Sequence, residues 1–96
     1  MGTIRFGDFE WDVTKSSVNE VKHGVSLAEA LTCFLDKMAF TAPDHEHAER
    51  VVLIGRSHRD RVLFVVSVER GETIGIVSAR KASPVQRKVY EHGPKG

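Results

Sequence analysis

The stretch that decides the fold is Ile74-Gly75-Ile76-Val77-Ser78-Ala79-Arg80-Lys81-Ala82-Ser83-Pro84. In it, an apolar strand is followed by the basic pair Arg80-Lys81 and then by the start of a helix. The alternation of side chains along a strand predicts that Arg80 shares one face with Ile74, Ile76 and Ser78. The same alternation places Gly75 on the opposite face. We therefore predict a strand over 73–81 with an arginine at its end.

A helix over 84–92 is predicted directly after this strand. Ser83 is a favoured N-cap, Pro84 suits the first helical position, and Gln86 completes a capping box. Val85 and Val89 are the expected core contacts of this helix.

Arg80 has two interpretations at this point. A guanidinium held beside a helix N-terminus is a plausible anion site. A solvated cation that closes a strand is the commoner case, because charged side chains usually lie in water. The stretch alone favours the solvated cation.

The composition indicates one globular domain spanning residues 1–96. The hydrophobic share is 41% and the charged share 28%, which is ordinary for such a chain. A single cysteine excludes an internal disulfide framework. No apolar run reaches the roughly 18 residues of a membrane helix, and no signal-peptide core is visible. We expect a cytoplasmic protein without membrane association.

The two halves of the chain carry opposite charge. Residues 1–49 hold four Lys/Arg against nine Asp/Glu, a net −5, and residues 50–96 hold ten against four, a net +6. A basic half attracts polyanions such as nucleic acid. The alternative is that the two halves neutralise each other within the fold, and composition does not separate these two cases.

The N-terminal half predicts a short strand and two helices. One strand is expected within residues 4–11, followed by a helix over 13–23 between the N-cap Asp12 and the C-terminal Gly24. Val18 and Val21 form a thin apolar stripe on this helix, with Asn19 elsewhere. Ser26 begins a second helix that ends near residue 36, and its expected core positions are Leu27, Ala30, Leu31, Phe34 and Leu35.

The middle of the chain predicts a short strand over 38–41 and then a polar loop over 44–49. His45 and His47, with flanking carboxylates, have a spacing that could ligate a metal. No third ligand follows at a diagnostic spacing, so a solvated loop is preferred and no metal site is predicted.

From residue 50 the pattern changes to strands. They are expected over 50–56, 61–69 and 73–81, and residues 62–66 are apolar on both faces, as in a central strand. The links are short, so these strands must be antiparallel, and Gly71 supplies the positive φ of the second turn. The prediction is a compact α+β domain in which two N-terminal helices and a C-terminal helix pack on a small antiparallel sheet.

The ordered motifs of the chain resemble the BrnT-type toxins of bacterial type II toxin–antitoxin modules. No single motif is specific, but their order and spacing over nearly the whole chain carry the resemblance. They are Phe9-Glu10-Trp11-Asp12, Lys15, Asn19, Lys22-His23-Gly24-Val25-Ser26, Arg50, Ile54-Gly55, Ser57, Arg61, Glu69-Arg70-Gly71, Ile76-Val77-Ser78-Ala79-Arg80-Lys81-Ala82 and Arg87 through Glu91.

The resemblance implies a RelE-like toxin domain with metal-independent ribonuclease activity that arrests translation, so the substrate is RNA and no cofactor is needed. It implies neutralisation by a BrnA-like antitoxin with a ribbon-helix-helix DNA-binding domain. Operator DNA is then contacted only through the antitoxin, in a higher-order toxin–antitoxin complex that represses its own operon.

One departure from the family pattern matters: the resemblance implies arginine two residues before the Val77-Ser78-Ala79-Arg80 segment, where this chain has Gly75. Glycine inside a strand is locally unfavourable because it adds backbone entropy cost and packs nothing. Natural variation, an attenuated toxin and an engineered substitution are the three interpretations that stay open.

RNA cleavage without a metal needs a base for the 2′-hydroxyl, charge stabilisation at phosphorus and an acid for the leaving 5′-oxygen. Arginines at strand ends suit phosphate contact. A helix C-terminus favours a protonated histidine, hence a cation more than a base. The candidate catalytic residues are Arg61 and Arg80 for phosphate, Lys22 and His23 for phosphate and proton transfer, Glu69 as base or arginine partner, and Tyr90 for stacking or proton donation. For each, a salt bridge, cap or rim contact is the alternative.

Two other functions compete with a ribonuclease. Gly75 and the near-neutral net charge fit an inactive toxin-like domain that acts only as antitoxin partner or co-repressor. A general RNA-binding domain ranks last, because one Trp and one Tyr offer few stacking platforms.

Overall fold

The computed structural model describes residues 2–93 as three helices packed on one six-stranded sheet, which confirms the α+β class. The strands are β1 Thr3–Phe6, β2 Phe9–Asp12, β3 Phe40–Pro43, β4 Arg50–Arg56, β5 Val62–Arg70 and β6 Thr73–Lys81. The helices are α1 Val13–His23, α2 Leu27–Thr32 and α3 Pro84–His92, with a 3₁₀ turn over Cys33–Leu35 after α2. Residues 1 and 94–96 of the predicted domain lie outside the described residues.

The sheet is mixed, with strand order β1-β2-β6-β5-β4-β3. β4, β5 and β6 are antiparallel as predicted, but β2 runs parallel to β6, with Phe9 opposite Ile74 and Glu10 opposite Gly75. The prediction of a purely antiparallel sheet is therefore wrong at this pair. A parallel pair is possible here because the connection from β2 to β6 is most of the chain.

The predicted first strand is in fact a hairpin of two strands. Gly7 turns the chain with a φ of 61°, so that β1 and β2 pair from Thr3 opposite Asp12 to Phe6 opposite Phe9. β3 also begins two residues later than the prediction of 38–41.

The predicted ends of α1 and the predicted start of α3 are confirmed, whereas α2, expected to end near residue 36, ends at Thr32 and is followed by the 3₁₀ turn Cys33–Leu35. The Asp12 side chain accepts a hydrogen bond from the Lys15 N–H at 2.9 Å, and Gly24 ends α1 with a φ of 71°. The α3 capping box is complete, since Ser83 and Gln86 each accept from the other's backbone N–H. Gly71 has a φ of 64° in the turn between β5 and β6.

α1 and α2 pack on one face of the sheet, which we call the core face. Its cluster joins Leu63 and Val65 of β5 to Ile76 and Ala79 of β6, under the helix-side residues Val25, Leu27, Ala30 and Cys33. Burial raises the pKa of the Cys33 thiol to about 12, so it stays protonated. Leu35 is 82% exposed and the prediction of a core contact is wrong, because the 3₁₀ turn breaks the helical period.

Asn19, and not the valine stripe, is the buried residue of α1 that joins the helix to the sheet. Its amide donates to the carbonyls of Val25 and Ala79 at 2.8 Å, and its oxygen accepts from the Ala79 N–H at 3.2 Å. Val18 and Val21 are exposed, so the predicted stripe points to solvent. β2 pairs with β6 only at Ile74 and Gly75. Further along β6, Asn19 makes the hydrogen bonds to the Ala79 backbone that a neighbouring strand would otherwise make.

A β-bulge in β6 reverses the predicted alternation. Val66 lies opposite Ser78 and Ser67 opposite Ile76, which leaves Val77 as the extra residue. Residues opposite each other share a face, so Gly75, paired with Val68, lies on the same face as Arg80, paired with Phe64. The predictions that Arg80 shares a face with Ile74 and Ile76, and that Gly75 lies opposite it, are both wrong.

This second face, which we call the arginine face, is covered at one end by α3. Its strand residues include five arginines, Arg5, Arg50, Arg56, Arg70 and Arg80. Tyr90 of α3 is buried there with Val52, Ile54 and Val62. Val85 and Val89 are 73% and 51% exposed, so they are not the core contacts of α3. Gln86 and Tyr90, four residues apart, form the inward side of the helix instead.

Candidate functional site

A basic cavity of about 460 Å³ lies where β5 begins, β6 ends and α3 passes over the sheet. Four cationic side chains line it, against two carboxylates: Arg56, Arg61, Lys81 and Arg87, with Asp60 and Glu91. An excess of positive charge in a concave site attracts anions, and guanidinium groups match the geometry of phosphate. Arg56, Arg87 and Arg61 pair with Asp60, Glu91 and Glu29, so four cations against three carboxylates leave an excess of one positive charge, which suits the cavity to a single phosphate group.

Arg61 is fixed in this cavity by Glu29 of α2. Its Nε donates to Glu29 Oε2 at 2.9 Å and its Nη2 to Glu29 Oε1, while Nη2 also donates to the Gly24 carbonyl at 2.9 Å. Glu29 is 3% exposed and accepts a third bond from the Ser57 hydroxyl. Burial opposes ionisation of Glu29, but the bonds from Arg61 and Ser57 outweigh it and lower the pKa of this carboxyl. Arg61 therefore presents a guanidinium already paired with one carboxylate.

Tyr90 and Asp36 hold Arg56 at the opposite wall. The Tyr90 hydroxyl donates to Asp36 Oδ2 at 2.5 Å, and the backbone N–H of Arg56 donates to the same oxygen at 2.7 Å. The Arg56 guanidinium lies 5.5 Å from the centre of the Tyr90 ring. Burial, followed by the bond to Asp36, raises the pKa of Tyr90. Tyr90 is thus a neutral phenol that anchors α3, and its proton is already committed to Asp36.

Arg80 lies beside the basic cavity, on the arginine face. Its guanidinium stacks on the Phe64 ring at 4.0 Å, and its Nη1 donates to the Lys81 carbonyl at 3.0 Å and to Gln86 Oε1 at 3.3 Å. The stack and the two bonds fix the side chain at the start of α3. A fixed guanidinium loses little entropy when it binds an anion.

Lys22 and His23 belong to a separate groove of about 400 Å³ between α1 and the bulged part of β6. Lys15, Val77 and Ser78 also line this groove. Both predicted residues are exposed at the C-terminal end of α1. The groove offers cations and a hydroxyl, on the side of β6 away from β5.

Glu69 is not brought together with the other candidates. It is exposed at the end of β5 and pairs with Ile74, so it projects from the core face next to the Gly71 turn. It lies eight positions along the chain from Arg61, which is about 26 Å at 3.3 Å per residue. Arg61 therefore lines the cavity, and Tyr90 contacts it through the Arg56 side chain. Arg80 lies next to the cavity, whereas Glu69 is far from it.

The sequence analysis did not identify Arg56, Lys81 and Arg87 as residues of the cavity. It also did not identify Glu29, which binds Arg61, or Asp36, which binds Tyr90 and the backbone of Arg56. One signal was available for Arg56, because it and Arg61 flank the same hairpin connection and must lie at the same end of the sheet. No local pattern marks Glu29, which reads as a capping-box partner but turns to Arg61 instead.

Residues 2–93 contain neither a cluster of metal ligands nor a membrane-spanning helix. No group of three His, Cys, Asp or Glu side chains is placed to hold a metal ion there. Within the same residues no helix is long and apolar enough to cross a membrane.

The fold and the cavity define a small α+β domain suited to binding a polyanion, and comparison with known proteins specifies the family. The family model described as the ribonuclease toxin BrnT of type II toxin–antitoxin systems matches residues 11–85, well over half of the chain. The chain belongs to this family, and membership implies an antitoxin partner and an RNA target.

The solved structures include the crystal structure of the Brucella abortus ribonuclease toxin BrnT, which is similar to this chain. The two are 26% identical with a TM-score of 0.62, and the match covers 76% of this chain and 92% of that one. No curated protein matches the chain by sequence. The family match includes Lys22, His23, Arg61, Glu69 and Arg80, whereas Tyr90 lies outside it.

Proposed function

We propose that this chain is an endoribonuclease that cleaves RNA without a metal ion and uses the basic cavity to hold the phosphate under attack. The observation that carries the proposal is the convergence of four cations on one concave site in a member of a ribonuclease toxin family. We also propose that the fold is RelE-like and that the enzyme acts in the cytoplasm to arrest translation.

Charge stabilisation is the task that the site is best built to perform. In the transition state of phosphodiester cleavage, negative charge grows on the non-bridging oxygens, and preorganised donors at that position lower the barrier. Arg61, fixed on Glu29, and Arg80, fixed on Phe64, are preorganised in this sense. We assign both to the phosphate.

Proton transfer is assigned to a carboxylate that lines the cavity. Asp60 and Glu91 are the carboxylates that line the cavity; Asp60 accepts from Arg56 at 2.9 Å, whereas Glu91 lies 4.0 Å from Arg87, so Glu91 is assigned to accept the 2′-hydroxyl proton. Tyr90 is engaged with Asp36, and Glu69 is remote, so neither is retained as base or acid. Lys22 and His23 are assigned to a further phosphate along the strand, in the groove beside β6.

The antitoxin is proposed to be of the BrnA type, with a ribbon-helix-helix domain that binds operator DNA. This proposal rests on the family, whose type II systems pair each toxin with an antitoxin. The toxin then contacts operator DNA only through its partner, in a higher-order complex that represses the operon. A ribbon-helix-helix pattern in the reading frame next to this gene supports the assignment, and its absence there contradicts it.

The test is cleavage of RNA by the purified chain, freed of antitoxin, in the presence of EDTA. We expect cleavage by the native protein and a loss of about a hundredfold in Arg80→Ala, the order of one transition-state donor. Arg59→Ala is the matched control, because Arg59 is an exposed arginine that lines neither the cavity nor the groove. Intact RNA at high enzyme concentration, for both the native chain and Gly75→Arg, would contradict the proposal.

The second candidate is an inactive toxin-like partner of the antitoxin. The observation that favours it is Arg61, whose charge is already neutralised by the buried Glu29. It predicts antitoxin binding without growth arrest when the chain is expressed alone, so growth arrest that depends on Arg80 eliminates it.

A further inference from the structure

Gly75 leaves a space on the arginine face that a side chain from another strand fills. Gly75 is buried in the middle of the sheet, and a Cβ atom built on it would lie 2.6 Å from both Cζ and Nη1 of Arg70. The guanidinium of Arg70 therefore lies flat on the backbone of β6, where the side chain of residue 75 would otherwise project. Arg70 reaches this position from the end of β5, beyond Val68, the cross-strand partner of Gly75.

The surroundings of this guanidinium are charged on both sides. Across the sheet, one row of paired residues runs Arg5, Glu10, Gly75, Val68 and Arg50. Arg70 Nη1 donates to Glu10 Oε2 at 3.2 Å, and Arg5 Nε approaches Glu10 Oε1 at 3.4 Å. Two arginines thus share one carboxylate, and the cluster keeps a net positive charge.

We propose that Arg70 binds a backbone phosphate of the RNA substrate on the arginine face, in place of the side chain that Gly75 lacks. The inference rests on the proposed ribonuclease function and specifies how the face beyond the cavity holds the strand. Arg70 is half exposed, and among the described residues its hydrogen bond to Glu10 uses one of the five N–H donors of the guanidinium. The remaining donors are available to a phosphate.

The bulge in β6 is the second observation that supports this role. Because of it, Arg70 and Arg80 lie on the same face of the sheet, together with Arg50. Of the strand residues on this face, five are arginines and two, Glu10 and Asp12, are acidic. A row of cations on one open face attracts a polyanionic strand, and the affinity then depends on salt.

The contacts of Arg70 argue against a purely structural role for this residue. Arg70 is half exposed, and an exposed ion pair contributes little to stability because water and salt screen it. Glu10 also retains Arg5 as a partner when Arg70 is removed. The contact with Glu10 therefore orients Arg70 more than it holds the sheet together.

The test moves the guanidinium from one strand to the other. Affinity is measured for a fluorescent 2′-O-methyl RNA strand, which lacks the free 2′-hydroxyl that cleavage needs. Arg70→Ala should weaken binding roughly fivefold and lower the slope of log affinity against log salt by about 0.7, the loss of one phosphate contact on a single strand. Adding Gly75→Arg to Arg70→Ala should restore affinity to within about twofold and restore the slope. Gly75→Ala in the same background should restore neither.

Glu10→Gln separates phosphate binding from ion pairing. If Arg70 contacts RNA, removing the carboxylate frees the guanidinium, and binding stays equal or becomes tighter. If Arg70 serves only to pair with Glu10, Glu10→Gln weakens binding as much as Arg70→Ala does, and that result overturns the proposal. Thermal melting of each variant confirms that the protein is folded at the assay temperature.

The remaining outcomes distinguish this inference from the function on which it rests. Native protein that cleaves RNA, with an Arg70→Ala variant that binds within twofold of it, overturns the role of Arg70 alone. Native protein that neither cleaves RNA nor binds the 2′-O-methyl strand overturns the proposed function. If Arg70→Ala binds weakly and the added Gly75→Arg does not restore binding, the Arg70 guanidinium does not replace a side chain at position 75, and that part of the proposal is overturned.

Discussion

The two faces of the sheet differ in how their polar groups are used. On the core face, α1 and α2 seal an apolar cluster, and the buried Asn19 has hydrogen-bond partners for both its amide and its oxygen. On the arginine face, α3 covers one end, and five arginines lie on the strands beneath or beside it. Buried polar groups must be satisfied internally, whereas exposed cations keep donors for a ligand.

The apolar cluster of the core face therefore supplies stability, whereas the proposed RNA contacts lie on the arginine face and at the end of the sheet, where Lys81 and the α2-bound Arg61 project from the core-face side. Substitutions within the apolar cluster should change the free energy of unfolding and leave the chemistry intact in the folded protein. Substitutions of arginines on the other face should do the reverse.

The largest effect on stability is expected for Asn19→Ala. The variant leaves the carbonyls of Val25 and Ala79 and the N–H of Ala79 without their partner, which should cost about 3 kcal/mol. Urea unfolding measures this cost. Val18→Ala, one position along the same helix and exposed, is the control and should change stability by less than about 0.5 kcal/mol. Equal effects of the two variants would mean that Asn19 does not join α1 to β6.

Glu29→Gln should have the next largest effect, about 2 kcal/mol. Breaking a buried ion pair from one side costs about 3 to 5 kcal/mol, and the value is reduced here because the Arg61 side chain is 24% exposed. Thermal or urea unfolding measures the loss. Arg59→Ala, which removes only a 3.9 Å contact to the same carboxylate, should be nearly neutral.

Lowering the pH should weaken the interaction between Glu29 and Arg61 in the native protein. The pKa of Glu29 is lowered by Arg61 and Ser57 against the opposing effect of burial, and that of Asp36 is lowered by Tyr90 and backbone N–H groups in the same way. A carboxyl with a lowered folded pKa contributes stability above its unfolded pKa and loses it as pH falls through the folded value. The free energy of unfolding should therefore be steady from pH 7 to about 5 and fall below about 4. Glu29→Gln should show a shallower fall, and a fall of native steepness would contradict this contribution.

The smallest effect is expected for Val85→Ser on the outer side of α3. Val85 is 73% exposed, so the substitution should change stability by less than about 0.5 kcal/mol. A loss above 1 kcal/mol in urea unfolding would show that Val85 packs on the sheet, as the sequence pattern suggested, and that Tyr90 is not the anchor of the helix.

Local chemistry predicted most of the fold and little of the site. Asp12, Gly24, Ser83 and Gly71 mark helix ends and a turn through hydrogen bonds and φ angles that involve only neighbouring residues, and each was located correctly. The parallel pairing of β2 with β6 joins residues more than sixty positions apart. No local pattern specifies it.

The bulge at Val77 accounts for the largest error about the site. One extra residue turns every later side chain to the other face, and nothing in the local sequence marks it. Arg80 and Gly75 consequently appeared on opposite faces when they share one. The buried side of α1 was also predicted wrongly. Val18 and Val21 form an apolar pattern, but both are exposed, and Asn19 is buried instead.

One paired measurement tests the division between the faces most directly: cleavage rate and melting temperature for Arg80→Ala and Asn19→Ala. Arg80→Ala is expected to lose about a hundredfold in cleavage while it remains folded at the assay temperature. Asn19→Ala is expected to melt at lower temperature and, because Asn19 borders the groove of Lys22 and His23, to lose at most a few-fold in cleavage while folded. Native cleavage by Arg80→Ala, or a loss of cleavage by folded Asn19→Ala as large as that of Arg80→Ala, would contradict this division.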